Sequence, residues 1–365
     1  KFFKKFEKKL SDKAKDNLVK RNNSIVYNNI GNLFKTLGKN DDAMDSYNKA
    51  IELNKNNAET YNNKGELLVS LKKFDEAIKI YQEVLKINPD FPYVHGKLLH
   101  CKMHICDWQS YKEDREKIIS GIKNNLTIIE PFPLLSLLDD LELQKRNAVL
   151  YSKSKFKVDK KYSKIKIIKN NEKIKIGYYG AEFYNHPVLQ ITKDIFKNHD
   201  KSKFEIYAFY HGKIKDELHY EVKNYFTKFY DVTKKSDSEI IKLSNELSID
   251  IAINLTGYTA DSRNEIFLKR VAPIQISYIG YSGTMGSKFM DYIISDDVLI
   301  PKKNYKFYNE EILNMPNSFL PSPEVLNISK KDYKRDDLNI PKDCFVFGSF
   351  NNSYKITPEI FYAWT

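Results

Sequence analysis

The stretch IAINLTGYTADSRNEIFLKRVAPIQISYIGYSGTMGSKFMDYIISD, residues 251–296, decides the fold class. It contains two short apolar runs rich in β-branched residues, Ile251–Leu255 and Ile274–Ile279, and each ends in a polar loop that contains glycine. A helix is predicted between them, so the order is strand, loop, helix, strand, loop. This order is typical of a doubly wound α/β sheet, in which ligands bind where loops leave the carboxyl ends of parallel strands.

A set of residues within this stretch keeps fixed spacings: Asn254, Gly257-Tyr258-Thr259, Arg263-Asn264-Glu265, Ala272-Pro273-Ile274-Gln275, Gly280-Tyr281, Gly283-Thr284, Gly286 and Phe289-Met290-Asp291-Tyr292-Ile293-Ile294. With these residues the stretch resembles the O-linked N-acetylglucosamine transferase and Spindly family of glycosyltransferases. The resemblance implies a GT-B fold and an inverting transfer of sugar, without a metal ion, from a nucleotide sugar such as UDP-N-acetylglucosamine to Ser or Thr hydroxyls of proteins. It also implies that the two loops contact the donor, through Gly257, Tyr258, Thr259, Gly280, Gly283 and Thr284.

Length and charge limit the number of domains and the kinds of partner that the chain can have. A chain of 365 residues with 41% apolar content has room for more than one domain. The net charge of +12 comes largely from dispersed lysine. We interpret the lysine runs as solvated surface and linker rather than as a patch for an acidic partner. No aromatic-interleaved nucleic-acid module accompanies them, so no nucleic-acid partner is expected.

Cysteine usage and hydropathy indicate the compartment. The three cysteines are too few and too scattered for a disulfide framework, which favours a reducing environment. No apolar run reaches the roughly 18 residues needed to cross a bilayer, and no signal peptide is present. We therefore expect a soluble, cytoplasmic protein with no membrane partner. The chain lacks an initiating Met and stops inside a predicted helix, so we expect a fragment at both ends.

A repeat precedes the α/β region. Tyr27, Gly31, Ala43, Tyr47 and Ala50 recur 34 positions later as Tyr61, Gly65, Ala77, Tyr81 and Val84, which is the tetratricopeptide period. We predict repeats at 24–57 and 58–91, in which small residues let paired helices approach closely. A third unit begins near Pro92 and keeps His95 where the first tyrosine stood.

Two repeats need capping helices. Phe3, Phe6 and Leu10 have helical spacing among lysines, and a solenoid helix within residues 1–91 is favoured over a membrane-surface helix. Residues 92–172 are predicted to form a helical cap and linker.

Asn29 and Asn63 occupy equivalent repeat positions. The resemblance implies that they line the concave surface and hold the backbone of a protein substrate, since an amide offers both a donor and an acceptor. The alternative is that they reflect a chain rich in asparagine, and both interpretations stay open. The repeats could also support an oligomer.

His100 and His104 lie one helical turn apart, flanked by Cys101 and Cys106. A zinc site is disfavoured, because the two cysteines cannot share the helical face of the histidines and their spacing is too wide. We predict buried thiols and core histidines, and no metal site.

The lysine-rich connector at about 153–173 marks a boundary, after which the α/β lobe is predicted at 173–325. The stretch IKIGYYGAEFYNHPVLQ begins with a strand, Ile174–Tyr178, and FEIYAFY, Phe204–Tyr210, continues the alternation. The resemblance singles out His186 as the active-site histidine that accepts a proton. An imidazole with a pKa of about 6.5 can do so, but His186 could instead only position the acceptor or the sugar. Tyr258 stands where many bacterial relatives carry His, so it supplies no second imidazole.

The stretch CFVFGSFNNSYKITPEIFYAWT is predicted to begin the donor-binding lobe, at 326–365. It contains a predicted strand, Phe345–Phe350, then Tyr354 and Lys355. The resemblance implies that Lys355 contacts the diphosphate of the donor and that Tyr354 also lies at the donor. Relatives carry Gln where this chain has Asn352, which is a shorter amide.

We therefore predict a tetratricopeptide α-solenoid followed by a Rossmann-like lobe of a GT-B protein glycosyltransferase, with the second lobe truncated. His186 and Lys355 are the predicted catalytic residues. The alternative is a non-catalytic tetratricopeptide scaffold. Such a scaffold would not need these two residues at the positions that the family pattern gives them. We expect the chain alone to transfer little sugar, since most donor contacts belong to the second lobe.

Overall fold

The computed structural model describes residues 12–156, 172–321 and 330–365. These residues divide into two compact units. The first unit runs to Asp139 and includes Asn351–Thr365, and the second unit is Asp140–Phe350. Phe3, Phe6 and Leu10 and most of the lysine-rich connector lie outside the described residues.

The first unit is helical. Its helices in chain order are α1 (Asp12–Thr36), α2 (Asn40–Leu53), α3 (Ala58–Ser70), α4 (Phe74–Ile87), α5 (Val94–His104), α6 (Tyr111–Lys123) and α7 (Pro131–Leu134).

The predicted repeats are confirmed as the helix pairs α1–α2 and α3–α4. A Cβ atom on Gly31 would lie 2.5 Å from the ring of Tyr47, and one on Gly65 would lie 2.6 Å from the ring of Tyr81. The same contact therefore recurs one repeat later, and both tyrosines are fully buried. The glycines allow a helix spacing that any side chain would widen.

The second unit alternates helices with strands. Its elements are α8 (Leu141–Lys155), β1 (Ile174–Gly180), α9 (Pro187–Asn198), β2 (Phe204–Tyr210), α10 (Glu217–Val222), β3 (Lys228–Asp231), α11 (Asp237–Leu247), β4 (Ile251–Asn254), α12 (Glu265–Leu268), β5 (Ile274–Ser277), β6 (Tyr292–Ser295) and β7 (Glu311–Asn314). A last helix, α13 (Pro358–Trp364), belongs to the first unit.

The seven strands form one sheet in the order β3-β2-β1-β4-β5-β6-β7, and every neighbouring pair is parallel. The chain moves outward from β1 to β3 and then returns to place β4 beside β1. The strand order therefore reverses between β1 and β4, and a ligand crevice is expected outside the carboxyl ends of these two strands. The parallel α/β lobe predicted from the sequence is confirmed.

The structure differs from the expectations drawn from the sequence at three places. Phe345–Phe350 is not a strand: Phe347 and Phe350 are fully exposed, and no described strand lies beside the segment to accept its backbone hydrogen bonds. Conversely, β7 is a strand that was not predicted from the sequence. The helix predicted between β4 and β5 is a single turn, α12.

The bounds of the two compact units differ from the predicted domain boundaries. Helix α8 was assigned to the linker, but it belongs to the second unit, where its backbone lies against Gly286. The start of the predicted donor lobe is shared between the two units. Among the described helices, none combines the length and apolar character that a bilayer crossing requires.

Candidate active site

The loop after β1 carries His186. Pro187 is the first residue of α9 and His186 is its N-cap, with extended backbone angles. The Nδ1 atom of His186 accepts a hydrogen bond from the amide of Val188 at 3.3 Å. The neutral imidazole therefore holds its proton on Nε2, where it can act as a donor. Partial burial lowers the pKa of His186 below its usual value, which favours the neutral form at pH 7.

Glu182 lies in the same loop and is the residue that sequence reasoning missed. Its side chain is only 6% exposed, and Oε2 accepts a hydrogen bond from Oγ1 of Thr256 at 2.8 Å. Burial raises the pKa of Glu182 to about 7. An acidic residue between Ala181 and Phe183, directly after an apolar strand, was the available signal. The bond to Thr256 places this carboxyl group at the switch point between β1 and β4.

Asn254, the last residue of β4, shapes the loop that follows it. Its Oδ1 accepts from the amides of Thr256 at 3.1 Å and Gly257 at 3.0 Å, while its Nδ2 donates to Oδ1 of Asn264 at 3.0 Å. Asn264 in turn donates to the carbonyl of Gly257 at 2.8 Å. Gly257 has a φ of +58° and lies directly against Tyr281, so it needs both the left-handed conformation and the missing side chain.

Tyr258 is buried, and its contacts lie within the protein. Its hydroxyl donates to the carbonyl of Met285 at 2.7 Å. Its ring lies against those of Tyr151, Phe156 and Tyr281. The structure therefore places this predicted donor-binding residue in an aromatic cluster that joins the β4 loop, the β5 loop and α8.

Glu310 holds the loop after β5. Its carboxylate accepts from Oγ1 of Thr284 at 2.6 Å, from the amide of Met285 at 2.7 Å and from the amide of Asn309 at 3.1 Å. Burial raises its pKa. The predicted donor-binding residue Thr284 thus uses its hydroxyl inside the protein. Gly280 and Gly283 lie in the same loop, where Gly280 approaches the carbonyl of Leu255.

The structure brings together three of the predicted loops. The β1 loop meets the β4 loop through Glu182 and Thr256, and the β4 loop meets the β5 loop through Tyr258 and Met285. The β4 loop also includes Thr259, whose hydroxyl donates to the carbonyl of Thr256 at 2.8 Å. The loops that follow β1, β4 and β5 therefore meet at the carboxyl end of the sheet.

Lys355 belongs to the first unit. It is exposed at the end of a 3₁₀ turn, Ser353–Lys355, and Asn352 just before the turn is also exposed. Tyr354 is buried, with its ring centroid 4.8 Å from that of His100 and 4.9 Å from that of His104. The predicted donor turn is thereby anchored on α5.

His100 and His104 face each other, with their Nε2 atoms 3.2 Å apart. Burial and the neighbouring imidazole lower the pKa of His100 to about 4, so the pair is neutral at pH 7. Cys101 is buried as predicted, but the prediction of a buried thiol is wrong for Cys106, which is exposed. Among the described residues, no three His, Cys, Asp or Glu side chains gather as metal ligands would.

The two asparagines of the repeats differ in environment. Asn29 is exposed, whereas Asn63 is half-buried and donates from Nδ2 to Oδ1 of Asn28 at 3.0 Å. One repeat further on, the equivalent position is Lys97, whose ammonium contacts Oε1 of Glu66 at 2.5 Å. Neither predicted peptide-binding side chain lies in the helix–helix core.

Comparison with known proteins identifies the family. The model of Glycosyl transferase family 41 matches residues 105–325, which is more than half of the chain. The chain belongs to glycosyl transferase family 41. Tetratricopeptide repeat models match residues 31–71 and 58–91 of this family 41 chain.

Several relatives carry names of transferases. The chain is 29% identical over 293 residues to a probable UDP-N-acetylglucosamine–peptide N-acetylglucosaminyltransferase, SEC, of Arabidopsis thaliana, covering 73% of this chain and 30% of the relative. It is 31% identical over 232 residues to UDP-N-acetylglucosamine–peptide N-acetylglucosaminyltransferase of Caenorhabditis elegans, covering 59% and 20%. The family 41 chain thus spans less than a third of the length of these relatives.

A solved structure shares the fold. An O-GlcNAc transferase from Thermobaculum terrenum, a lysine-to-methionine mutant, aligns with a TM-score of 0.63 at 22% identity and covers 94% of this chain and 59% of its own. This chain therefore shares its fold, repeats followed by a parallel α/β lobe, with that structure.

Proposed function

We propose that the full-length protein transfers N-acetylglucosamine from UDP-N-acetylglucosamine to Ser or Thr hydroxyls of proteins, with inversion at the anomeric carbon. The names of the relatives and the family 41 match support the reaction class. The observation that carries the chemistry is Glu182, a buried carboxyl group with a pKa of about 7 at the switch point of the sheet. A group with this pKa is suited to exchange a proton near neutral pH.

In the proposed step, the hydroxyl oxygen of the acceptor forms a bond to the anomeric carbon. The bond from that carbon to the diphosphate oxygen breaks, and the nucleoside diphosphate leaves with its electron pair. The acceptor hydroxyl loses its proton, and we assign the proton to the ionised carboxylate of Glu182. His186 then serves as a donor from Nε2 that positions the acceptor or the sugar, since its Nδ1 already accepts from Val188.

Lys355 is assigned to the leaving diphosphate. Its ammonium is exposed on a turn whose neighbour Tyr354 is fixed against His100 and His104. A fixed positive charge stabilises the negative charge that develops on a leaving diphosphate, and the proposal gives this role to Lys355 rather than to a metal ion. By resemblance to the family, donor contacts are also assigned to Asn352 and, separately, to the loops of the second unit that contain Gly257, Thr259, Gly280 and Gly283.

Protein substrates are assigned to the repeats. Asn29 offers an exposed amide, and Asn63 keeps its carbonyl oxygen while its Nδ2 donates to Asn28. An amide can pair with any peptide backbone, which suits substrates of differing sequence. The three thiols are free, which fits a reducing compartment, and we propose that the protein acts in the cytoplasm.

The test is a transfer assay with the full-length gene product, a library of Ser- and Thr-containing peptides, and either UDP-N-acetylglucosamine or GDP-fucose as the donor. Mass spectrometry would detect the added sugar, and released nucleotide would be measured in parallel. We expect N-acetylhexosamine on hydroxyl residues and release of UDP. Transfer from GDP-fucose but not from UDP-N-acetylglucosamine would show that the transferred sugar is fucose. Absence of both transfer and nucleotide binding would favour a non-catalytic scaffold.

A further inference from the structure

A buried histidine that has no role in the proposed transfer step contacts the loop that carries His186. His219, on α10, is fully buried, and its Nδ1 lies 2.8 Å from the carbonyl oxygen of Phe183. A carbonyl only accepts, so Nδ1 carries the proton and donates. Burial lowers the pKa of His219, which keeps the ring neutral. The other ring nitrogen, Nε2, is buried without a hydrogen-bond partner among the described residues.

This arrangement is costly for a residue that only fills space. The ring of His219 lies among those of Tyr210, Tyr220 and Phe229, at centroid distances of 4.6–5.4 Å. An apolar ring would fill the same space without leaving a buried nitrogen unpaired. The feature that an apolar ring could not supply is the hydrogen bond to Phe183.

Asp216 holds the same loop from a second point. Its Oδ2 accepts from the amide of Asn185 at 2.7 Å, next to His186 in the chain. Its Oδ1 accepts from the amide of His219 at 2.9 Å and so caps α10. One carboxylate therefore ties the start of α10 to the residue that precedes His186.

The contacts made by His219 and Asp216 hold the loop at two positions, residues 183 and 185. Phe183 is fixed by His219 and by full burial of its own ring, and Asn185 is fixed by Asp216 and by Nε2 of Gln190 at 2.9 Å. His186 follows directly, and its N-cap geometry depends on where this segment enters α9.

We propose that Asp216 and His219 are positioning residues that fix the backbone of residues 183–185 and thereby orient the imidazole of His186. This inference rests on the proposed function for its kinetic consequence, although the orientation of the ring can be measured without any transfer. A displacement of about 1 Å in a positioned group can cost up to about a hundredfold in rate.

Two substitutions of His219 separate positioning from packing. His219→Phe keeps a ring of similar shape but removes the donor, whereas His219→Asn removes the ring but keeps an N–H near the place of Nδ1. If His219 only packs, the Phe variant keeps its activity and the Asn variant loses it together with stability. The proposal expects the reverse order of activity: kcat of the Phe variant of the full-length protein falls about tenfold or more at unchanged melting temperature, while the Asn variant retains more kcat.

Asp216→Ser tests the second contact. Serine remains a good N-cap for α10, but its single short hydroxyl cannot also hold the amide of Asn185. We expect kcat to fall about tenfold. KM for the nucleotide sugar should stay within about twofold, because the substitution does not remove a contact that binds the donor in the ground state.

An NMR measurement decides the inference even if transfer proves absent. With ¹⁵N-labelled histidine, and with His186→Gln to assign the signal, the ring of His186 should appear as the Nε2–H tautomer in the wild type. In the Phe and Ser variants its tautomer balance should change and its pKa should return toward about 6.5. Unchanged His186 signals and unchanged kcat in both folded variants would overturn the proposal, whereas altered signals without transfer in any variant would overturn only the proposed function.

Discussion

The hydroxyl of Thr256 donates to the carboxyl group of Glu182 at 2.8 Å, and this bond joins the loops that follow β1 and β4. The two residues are 74 positions apart in the chain and meet because β1 and β4 are neighbours in the sheet. The acid is 6% exposed, so the surrounding protein, rather than water, sets its protonation.

The first prediction concerns the pH dependence of transfer. Because the proposed acceptor of the proton is ionised Glu182, the rate should rise with pH through an apparent pKa of about 7. Glu182→Gln should lower kcat by about a hundredfold or more and remove this acid limb. Steady-state kinetics of the full-length protein between about pH 5.5 and 8.5, roughly 1.5 pH units on either side of that pKa, would measure both effects. An acid limb that persists in the Gln variant would assign the proton to another group.

The second prediction concerns stability and needs no activity. The folded-state pKa of Glu182 is raised from 4.5 to about 7, so the native state binds the proton more tightly than the unfolded state does. The resulting stabilisation is complete below about pH 4.5 and is lost as pH rises through about 7, and it amounts to about 3 kcal/mol. Glu182→Gln cannot ionise, so it should be more stable than the wild type at pH 8 and similar to it near pH 5. Urea unfolding at both values of pH would show this, and equal differences at both would contradict it.

The third prediction concerns the loop after β5. Glu310→Leu leaves the hydroxyl of Thr284 and the amide of Met285 without their acceptor, whereas the amide of Asn309 keeps Oγ1 of Thr284 at 3.1 Å. Unpaired buried donors cost about 1–3 kcal/mol each, without strict additivity, so a loss of about 3 kcal/mol is expected. Glu311→Gln is the matched control, because the neighbouring residue is exposed and should change stability by less than about 0.5 kcal/mol. Equal unfolding free energies for the two variants would refute the role of Glu310.

The central strands were predictable from sequence because they are buried on both faces and read as continuous β-branched or aromatic runs, such as Phe204–Tyr210. The repeats were predictable because the contact of Gly31 with Tyr47 recurs with a fixed period. β7 was not, since it has four residues of which only one is part-buried and therefore lacks an apolar run. The segment Phe345–Phe350 has the composition of a strand, but composition cannot supply the neighbouring strand that it needs.

The loops of the candidate site were easier to predict from the sequence than the contacts of their side chains. A family pattern identifies His186, but it cannot tell which ring nitrogen is free, because that depends on the hydrogen bond from Val188. Nor can it tell that Tyr258 turns into a cluster with Tyr151, since those residues are 107 positions apart. Glu182 gains its significance only from burial, which is a property of the folded chain.

The fourth prediction concerns Gly286, which has a φ of +62°. A Cβ atom there would lie 2.5 Å from the backbone amide nitrogen of Val149 on α8, and a helix backbone cannot move aside cheaply. Gly286→Ala should destabilise the protein by about 3 kcal/mol or more. Gly38→Ala is the control, because Gly38 has a similar φ of +74° but open space around it, and it should cost only about 1–2 kcal/mol. Similar costs at the two sites would mean that the contact with α8 is not tight in solution.

The last prediction concerns Lys355. Its side chain is exposed, so Lys355→Met in the full-length protein should leave the melting temperature unchanged within about 1 °C. If its ammonium stabilises the leaving diphosphate, transfer should fall by about a hundredfold or more, because the charge is needed most in the transition state. Lys342→Met is the control: this lysine is also exposed, pairs with Asp336 and has no assigned contact with the donor. Loss of transfer in both variants would indicate a general effect of charge, and retained transfer in the Lys355 variant would remove this lysine from the mechanism.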